Sequence, residues 1–164
     1  MDVIGKNIIE QFDGLIKETD RIYLSNKTDG YWSNLSKEQN AKLIAMLETT
    51  TTKKCIEETN PKLVDVIFSE KRVAALELLQ LKGSEFVIDL GCMWGALSIP
   101  LAKQARYVLG VDQTLESLKF TEARANENKL NNIEFLCGNL REIFLPKDTF
   151  DVAIVNGVLE WIPE

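Results

Sequence analysis

The chain has 164 residues, of which 45% are hydrophobic and 27% charged, and its formal net charge is -6. This length can bury one core, and the acidic balance disfavours a surface for duplex nucleic acid. No apolar run approaches membrane-spanning length, so we expect a soluble, cytoplasmic protein with no membrane partner and no nucleic-acid partner.

Two residue types narrow the chemistry. The sequence contains no histidine, which removes the commonest general base and the commonest transition-metal ligand. Its three cysteines, Cys55, Cys92 and Cys137, are too widely spaced for a disulfide framework or a zinc site. We therefore expect no metal centre.

Residues 1–80 show mostly helical spacing, and we predict that they form a helical appendage or lid on residues 81–164. The first helix is predicted over residues 2–18. Ser36 begins a capping box before the second helix.

A later helix is predicted from a cap at Ser69 to a point near Leu81, with Val73, Leu76, Leu79 and Gln80 in its buried stripe. Two interpretations stay open for Tyr31 and Trp32. They line a substrate pocket or, with the greater weight, anchor helices to one another.

Short apolar runs alternate with helical segments from residue 85 onward, which is typical of a parallel sheet covered on both faces. Right-handed crossovers predict the strand order 3-2-1-4, one half of a doubly wound α/β sheet. The predicted strands are Phe86–Leu90, Tyr107–Val111, Ile133–Cys137 and Val152–Val155.

The stretch from Phe86 to Ala102 has the order strand, glycine turn, helix, which is typical of a nucleotide cradle. Ligands of such sheets bind beyond the carboxyl ends of the strands. Asp112 ends the second strand about 20 residues after the turn, where an acid accepts hydrogen bonds from ribose hydroxyls. The alternative is that Asp112 caps the helix that starts near Thr114, and we give it less weight.

Asp89 distinguishes between two cofactors. A carboxylate before the turn would repel the pyrophosphate of NAD, whereas it would attract the ammonium and sulfonium of S-adenosylmethionine. The turn also matches the dinucleotide pattern only at Gly91 and Ala96, because Met93 occupies its middle position. The charge argument favours S-adenosylmethionine.

Residues 84–164 resemble the Rossmann-like class I S-adenosylmethionine-dependent methyltransferases, some bacterial members of which are joined to glycosyltransferase modules. The segment Asp89–Gly95 is similar to their first motif. Three further motifs follow in register at Gly110–Asp112, Cys137–Leu140 and Phe150–Trp161.

The resemblance implies a role for each matching residue. The methionine part of the cofactor would lie against Asp89, Gly91, Cys92, Met93 and Gly95, and the ribose hydroxyls would bind Asp112. Asn139 and the Leu140 amide would face the adenine, with Gln113 packing nearby, and Asn156 would lie beside the transferring methyl group.

The sequence departs from the family at three points. Met93 replaces a glycine, so its side chain must point away or narrow the cradle, and Asn139 replaces an aspartate while keeping a carbonyl acceptor. The chain also stops after the fourth strand of a seven-stranded fold. We therefore expect a fragment whose strand 152–155 is an exposed edge open to self-association.

The leading hypothesis is methyl transfer from S-adenosylmethionine to an unidentified small-molecule or glycan-type acceptor. No catalytic base is identified, since a surface or capping role is favoured for Glu160. A non-catalytic binding or scaffold module and, with less weight, an NAD(P) oxidoreductase remain as alternatives.

Overall fold

The computed structural model describes residues 8–25 and 35–161. Tyr31 and Trp32 lie outside this part of the chain, as does the start of the helix predicted over residues 2–18.

Within the described residues, six strands form one sheet in the order β1-β2-β5-β4-β3-β6. Every neighbouring pair is parallel except β1 and β2, which are antiparallel. The predicted doubly wound α/β sheet is confirmed, because the four predicted strands lie next to one another in the predicted order. The strands are β1 (Ile16–Lys17), β2 (Ile22–Leu24), β3 (Phe86–Leu90), β4 (Tyr107–Asp112), β5 (Ile133–Cys137) and β6 (Val152–Val155).

The helix predicted through residue 18 is wrong in its described C-terminal part. Ile8 and Ile9 are helical, but Gly14 takes a φ of 69° and the chain then forms the β1–β2 hairpin. The hairpin turn is closed by Thr19, whose Oγ1 accepts the N–H of Ile22 at 3.0 Å. β2 then pairs with β5, where Ile22 is completely buried. A contact distant in sequence therefore overrides the local helical spacing.

Most of the predicted helices form, with shifted ends. Ser36 makes the predicted capping box with Gln39, and Ser69 accepts the N–H of Arg72 at 3.3 Å as the predicted cap. The helices are α1 (Lys37–Met46), α2 (Thr52–Thr59), α3 (Val64–Ile67), α4 (Glu70–Ala75), α5 (Ser98–Ala102) and α6 (Leu115–Glu127), with 3-10 turns at Pro61–Leu63, Leu76–Leu79 and Leu159–Trp161.

The helix predicted to reach Leu81 ends earlier, at Ala75, and continues as a 3-10 turn up to Gln80 in the left-handed region. Its predicted stripe is only partly correct. Leu76 is buried and Leu79 is half-buried, whereas Gln80 is exposed and Val73 is 38% exposed. The change from α to 3-10 geometry rotates the side chains out of one line.

The described core has three clusters, and one of them contains Met93 and Trp94 of the glycine loop between β3 and α5. Two clusters cover the two faces of the sheet around β3, β4 and β5. In the third, side chains of α1, α2 and α3 pack against Phe120 of α6 and Trp94 of the β3–α5 loop. The N-terminal helices thus lie directly against the glycine loop. Within residues 8–25 and 35–161, no helix has the length and apolarity needed to cross a membrane.

Candidate functional site

The loop between β3 and α5 is tied to the neighbouring strand β4. The N–H groups of Gly91 and Cys92 both donate to the carbonyl of Val111, at 2.7 Å and 3.0 Å. Gly91 has a φ of 78°, and a Cβ atom there would overlap Val158 Cγ2. Only glycine meets both the backbone and the packing requirement at this position.

Asp89, near the end of β3, is a buried carboxylate that accepts a hydrogen bond of 2.5 Å from Ser98 Oγ at the start of α5. Burial raises the pKa of Asp89 to about 6, the Ser98 hydrogen bond opposes this rise, and the charge of Asp112 adds to it. A ligand cation beside Asp89 would favour the ionised form and be bound by it.

Asp112, the last residue of β4, holds two backbone segments in place. Its Oδ2 accepts the N–H of Met93 and its Oδ1 accepts the N–H of Thr114, each at 2.9 Å. Burial nevertheless raises the pKa of Asp112 to about 6. The predicted contact with the start of the α6 helix therefore exists. Each carboxylate oxygen has a further lone pair that can accept a hydroxyl.

Met93 occupies the middle of the loop with a φ of 48°, an uncommon conformation for a residue other than glycine. Thr121 Oγ1 of α6 donates to its carbonyl at 2.8 Å. Its side chain packs against the helical cluster around Trp94 and also lines the pocket described next. Met93 therefore both points toward the N-terminal helices and narrows the cradle.

A small pocket lies where the loop meets α3, α4 and the end of β6. It contains five of the residues predicted from sequence, namely Asp89, Gly91, Cys92, Met93 and Asn156. Its volume is about 70 Å³, whereas pockets for drug-sized ligands measure roughly 300–1,000 Å³. The pocket is therefore too small to enclose a whole nucleoside cofactor.

The remaining predicted residues lie outside this pocket. Gly95 follows in the same loop, where a Cβ atom would overlap Thr121. Asn139 uses its Oδ1 to accept the N–H of Arg141 at 3.0 Å, and Leu140 packs with the core cluster on one sheet face. The carbonyl of Gln113 is 3.7 Å from Cys137 Sγ. Since Gly138 N–H donates to the carbonyl of Asp112 at 2.9 Å, these residues share one edge of the sheet. Their adenine contacts stay predictions.

A family model described as a methyltransferase domain matches residues 87–164. Residues 87–164 are thus similar to the methyltransferase domains of that family. The cofactor of that family is S-adenosylmethionine, as the charge argument on Asp89 predicted.

Curated relatives of the methyltransferase domain act on RNA by name. An uncharacterized RNA methyltransferase of Clostridium tetani is 33% identical over 86 residues, which are 52% of this chain and 18% of that protein. The 23S rRNA (uracil(1939)-C(5))-methyltransferase RlmD of Vesicomyosocius okutanii is 38% identical over 66 residues, 40% of this chain and 15% of that protein. The chain therefore spans only about a fifth of the length of these relatives.

Solved structures agree with the fold. A proposed S-adenosyl-L-methionine-dependent methyltransferase of Methanococcus maripaludis superposes with a TM-score of 0.55 at 22% identity, covering 82% of this chain and 57% of that chain. A dimethyladenosine transferase of Plasmodium falciparum gives a TM-score of 0.50 at 24% identity, covering 55% of this chain and 32% of that chain.

The residues of the methyltransferase domain fit its cofactor chemically. Two buried carboxylates, Asp89 and Asp112, flank a loop on which a Cβ atom at Gly91 has no room. The indole Nε1 of Trp94 is buried, and it has no acceptor among the residues that the structure describes. Acids for the cationic and hydroxyl groups of the cofactor are thus present at one site.

Sequence reasoning missed three residues of this site. Ser98 contacts Asp89, and Trp94 and Arg72 line the pocket, although Trp94 lies within the predicted Asp89–Gly95 motif. Only the position of Ser98 could have indicated its role. It begins the helix that follows the glycine loop, and the start of that helix faces the end of β3. Among residues 8–25 and 35–161, no group of three potential ligands could hold a metal ion.

Proposed function

We propose that the chain binds S-adenosylmethionine in the β3–α5 cradle and serves in methyl transfer. The observation that carries this proposal is the pair of buried carboxylates, Asp89 and Asp112, on either side of the glycine loop. Burial without a cationic partner is costly for a carboxylate, and a cationic ligand with vicinal hydroxyls offsets that cost.

Each residue has a defined part in this proposal. Asp89, oriented by Ser98, faces the ammonium group, and Asp112 accepts from the ribose hydroxyls. Asn156 ends β6 at the pocket and orients the acceptor. Gln113, Asn139 and Leu140 form the adenine side. When bound, the cofactor supplies a methyl group activated by its sulfonium, so the protein contributes mainly alignment.

The catalytic base stays unassigned. Glu160, the one candidate from sequence, lies exposed in the last 3-10 turn. An acceptor that is already nucleophilic needs no base, and methyl transfer to it depends on positioning alone.

Two classes of molecule are candidates for the methyl acceptor. The sequence favours a small-molecule or glycan-type acceptor, and the net charge of -6 opposes a polyanionic partner. The names of the curated relatives favour RNA instead, although they align over at most 55% of this chain. Incubation with S-adenosylmethionine labelled on its methyl group, together with total RNA or a small-molecule extract, separates the two. Label in RNA would overturn the expectation of no nucleic-acid partner.

Calorimetric titration with S-adenosylhomocysteine and with NADH tests the cofactor assignment. We expect saturable binding of the former alone. Binding of neither would support a non-catalytic scaffold, and binding of NADH alone would support an oxidoreductase. Asp112→Asn should lower the affinity for S-adenosylhomocysteine at least about tenfold, because it removes a charge-assisted hydrogen bond. The control Asp20→Asn, on the exposed β1–β2 turn, should leave the affinity unchanged.

A further inference from the structure

The strand β2 brings residues from outside the matched segment 87–164 to the ligand edge of the sheet. β2 runs parallel to β5, so its carboxyl end lies at the same edge as the carboxyl ends of β3 and β4. Ser25, directly after β2, donates its backbone N–H to the carbonyl of Cys137 at 2.9 Å. Ser25 therefore lies beside the last residue of β5.

Contacts with α6 fix the β1–β2 hairpin against the rest of the fold. Thr19 Oγ1 donates to Glu122 Oε1 at 2.6 Å, and Lys119 Nζ lies 2.8 Å from Glu18 Oε1. Ile22 of β2 is completely buried in the sheet. The carboxyl end of β2 therefore has a fixed place relative to β5 and α6.

The Ser25 hydroxyl lies close to the first residue after β5. A Cβ atom on Gly138 would be 2.9 Å from Ser25 Oγ and 2.8 Å from Ile143 Cδ1, closer than a real Cβ atom approaches other atoms. Glycine at this position therefore permits the close approach of the hydroxyl. Gly138 also donates its N–H to the carbonyl of Asp112 at 2.9 Å. One residue thus adjoins both the proposed ribose site and the Ser25 hydroxyl.

The order of the strands determines how a cofactor would cross this edge. In the proposed function the cationic end lies at Asp89 of β3 and the ribose lies at Asp112 of β4. β5 lies on the other side of β4, and β2 follows it. A base attached to that ribose therefore extends away from β3, toward Gly138 and Ser25.

Asn139, which the sequence predicted to face the base, uses its side-chain oxygen within its own loop. Its Oδ1 accepts the N–H of Arg141 at 3.0 Å, as in an Asx turn. Its backbone carbonyl accepts the N–H groups of Glu142 and Ile143. These contacts hold Asn139 in the loop. The nearby Ser25 hydroxyl has two lone pairs and a rotatable donor, so it can accept from a base while it keeps another partner.

We propose that the Ser25 hydroxyl accepts a hydrogen bond from the exocyclic amino group of the cofactor's adenine. This inference rests on the proposed function, and it assigns recognition of the base to the N-terminal hairpin, outside the segment 87–164. Asn139 then holds the loop beside the base, and Ser25 distinguishes the base. The β1–β2 hairpin would thus form part of the cofactor site and not only extend the sheet.

Two ligands that differ only in the exocyclic amino group provide the test. S-adenosylhomocysteine carries this group, and its purine analogue carries a hydrogen atom in the same place. We expect the wild-type chain to bind S-adenosylhomocysteine about three- to tenfold more tightly in calorimetric titrations, as one neutral hydrogen bond contributes. Ser25→Ala should remove this preference, because it lowers the affinity for S-adenosylhomocysteine and leaves that for the analogue unchanged.

Three further variants control the experiment. Ser25→Thr keeps the hydroxyl and should keep the preference for the amino group. Asn139→Ala loosens the loop, so it should lower the two affinities together and keep their ratio. Ser84→Ala, at an exposed position before β3, should change neither affinity.

The possible failures are distinguishable. If the wild-type chain binds both ligands equally, or if Ser25→Ala keeps the preference, the inference is wrong while the proposed function stands. Loss of the preference in Asn139→Ala alone would also overturn it and return recognition of the base to Asn139. Equal lowering of both affinities by Ser25→Ala would contradict it by showing a merely structural role. If the wild-type chain binds neither ligand, the proposed function fails together with the inference.

Discussion

Asp89 and Asp112 are buried carboxyl groups whose ionised form lowers the free energy of unfolding and favours the binding of a cationic ligand. Burial raises the pKa of each carboxyl group from 3.8 to about 6. Between these values the folded chain binds more protons than the unfolded chain, so its free energy of unfolding falls as the pH rises. Above pH 6 both groups are ionised, which disfavours folding and favours a cationic ligand.

Asp89→Asn should therefore stabilise the fold at neutral pH and lower the affinity for the cofactor. At pH 7.5 the gain in the free energy of unfolding should approach about 3 kcal/mol, the value of a shift of roughly two pKa units. The gain should shrink as the pH falls from 6 toward 4, where Asp89 itself becomes protonated. Urea unfolding at pH 7.5 and pH 5 measures this difference, with Asp20→Asn as the exposed control. A gain that grows on acidification would contradict the account.

The residues of the site were predictable where local sequence order decides their position. Asp89 and Asp112 each end a strand, and the parallel sheet brings such ends to one edge. The meeting of Arg72 and Trp94 at the pocket was not predictable, because it depends on the tertiary packing of α3 with Trp94 and with Phe120 of α6. No spacing in the chain encodes that contact.

At the scale of elements, α6 connects the glycine loop to the N-terminal helices. Arg124 bonds the Trp94 carbonyl and stacks on Phe68, and Thr121 bonds the Met93 carbonyl. Glu127 accepts the backbone N–H and the hydroxyl of Thr52, at 2.7 Å and 2.6 Å. One helix thus orients both the loop and the start of α2.

Removal of Arg124 should loosen both walls of the pocket. Arg124→Met loses a charge-assisted hydrogen bond and a desolvated cation–π contact, which together contribute about 2–4 kcal/mol. We expect a loss of that order in the free energy of unfolding, measured with urea. We also expect a lower affinity for S-adenosylhomocysteine. Arg106→Met is the matched control, since the exposed Arg106 also lies over a ring, 5.3 Å from that of Phe86. Equal losses in the two variants would show that Arg124 has no special role.

The secondary-structure elements also differ in whether neighbouring or distant residues determine them. Ser36, Thr51 and Ser69 cap their helices through local hydrogen bonds, and sequence predicted the caps at Ser36 and Ser69. The β1–β2 hairpin was missed because its formation depends on pairing with β5. Local helical spacing at Phe12, Leu15 and Ile16 pointed to the wrong structure.

At the scale of the molecule, the described sheet has β6 as one of its two edge strands, paired only with β3. Val155 of this strand is 41% exposed, and Leu159 just beyond it is 70% exposed. An apolar strand with one unpaired edge is prone to pair with another copy.

We expect concentration-dependent self-association and fast amide exchange across residues 152–155 of this chain. Val155→Lys should reduce association in sedimentation experiments, because an edge lysine disfavours strand pairing. Leu78→Lys, in the 3-10 turn Leu76–Leu79 and 85% exposed in the wild type, is the control and should have no effect. A monodisperse monomer with slow exchange across 152–155 would show that the edge is not open.

Hydrogen–deuterium exchange with and without S-adenosylhomocysteine tests whether the β3–α5 cradle holds an adenosyl cofactor. We expect the ligand to slow exchange at the amides of residues 91–97 and 112–114, while exchange at the amides of the exposed β1–β2 turn stays unchanged. Binding without protection of these two segments, or protection confined to another part of the chain, would contradict it.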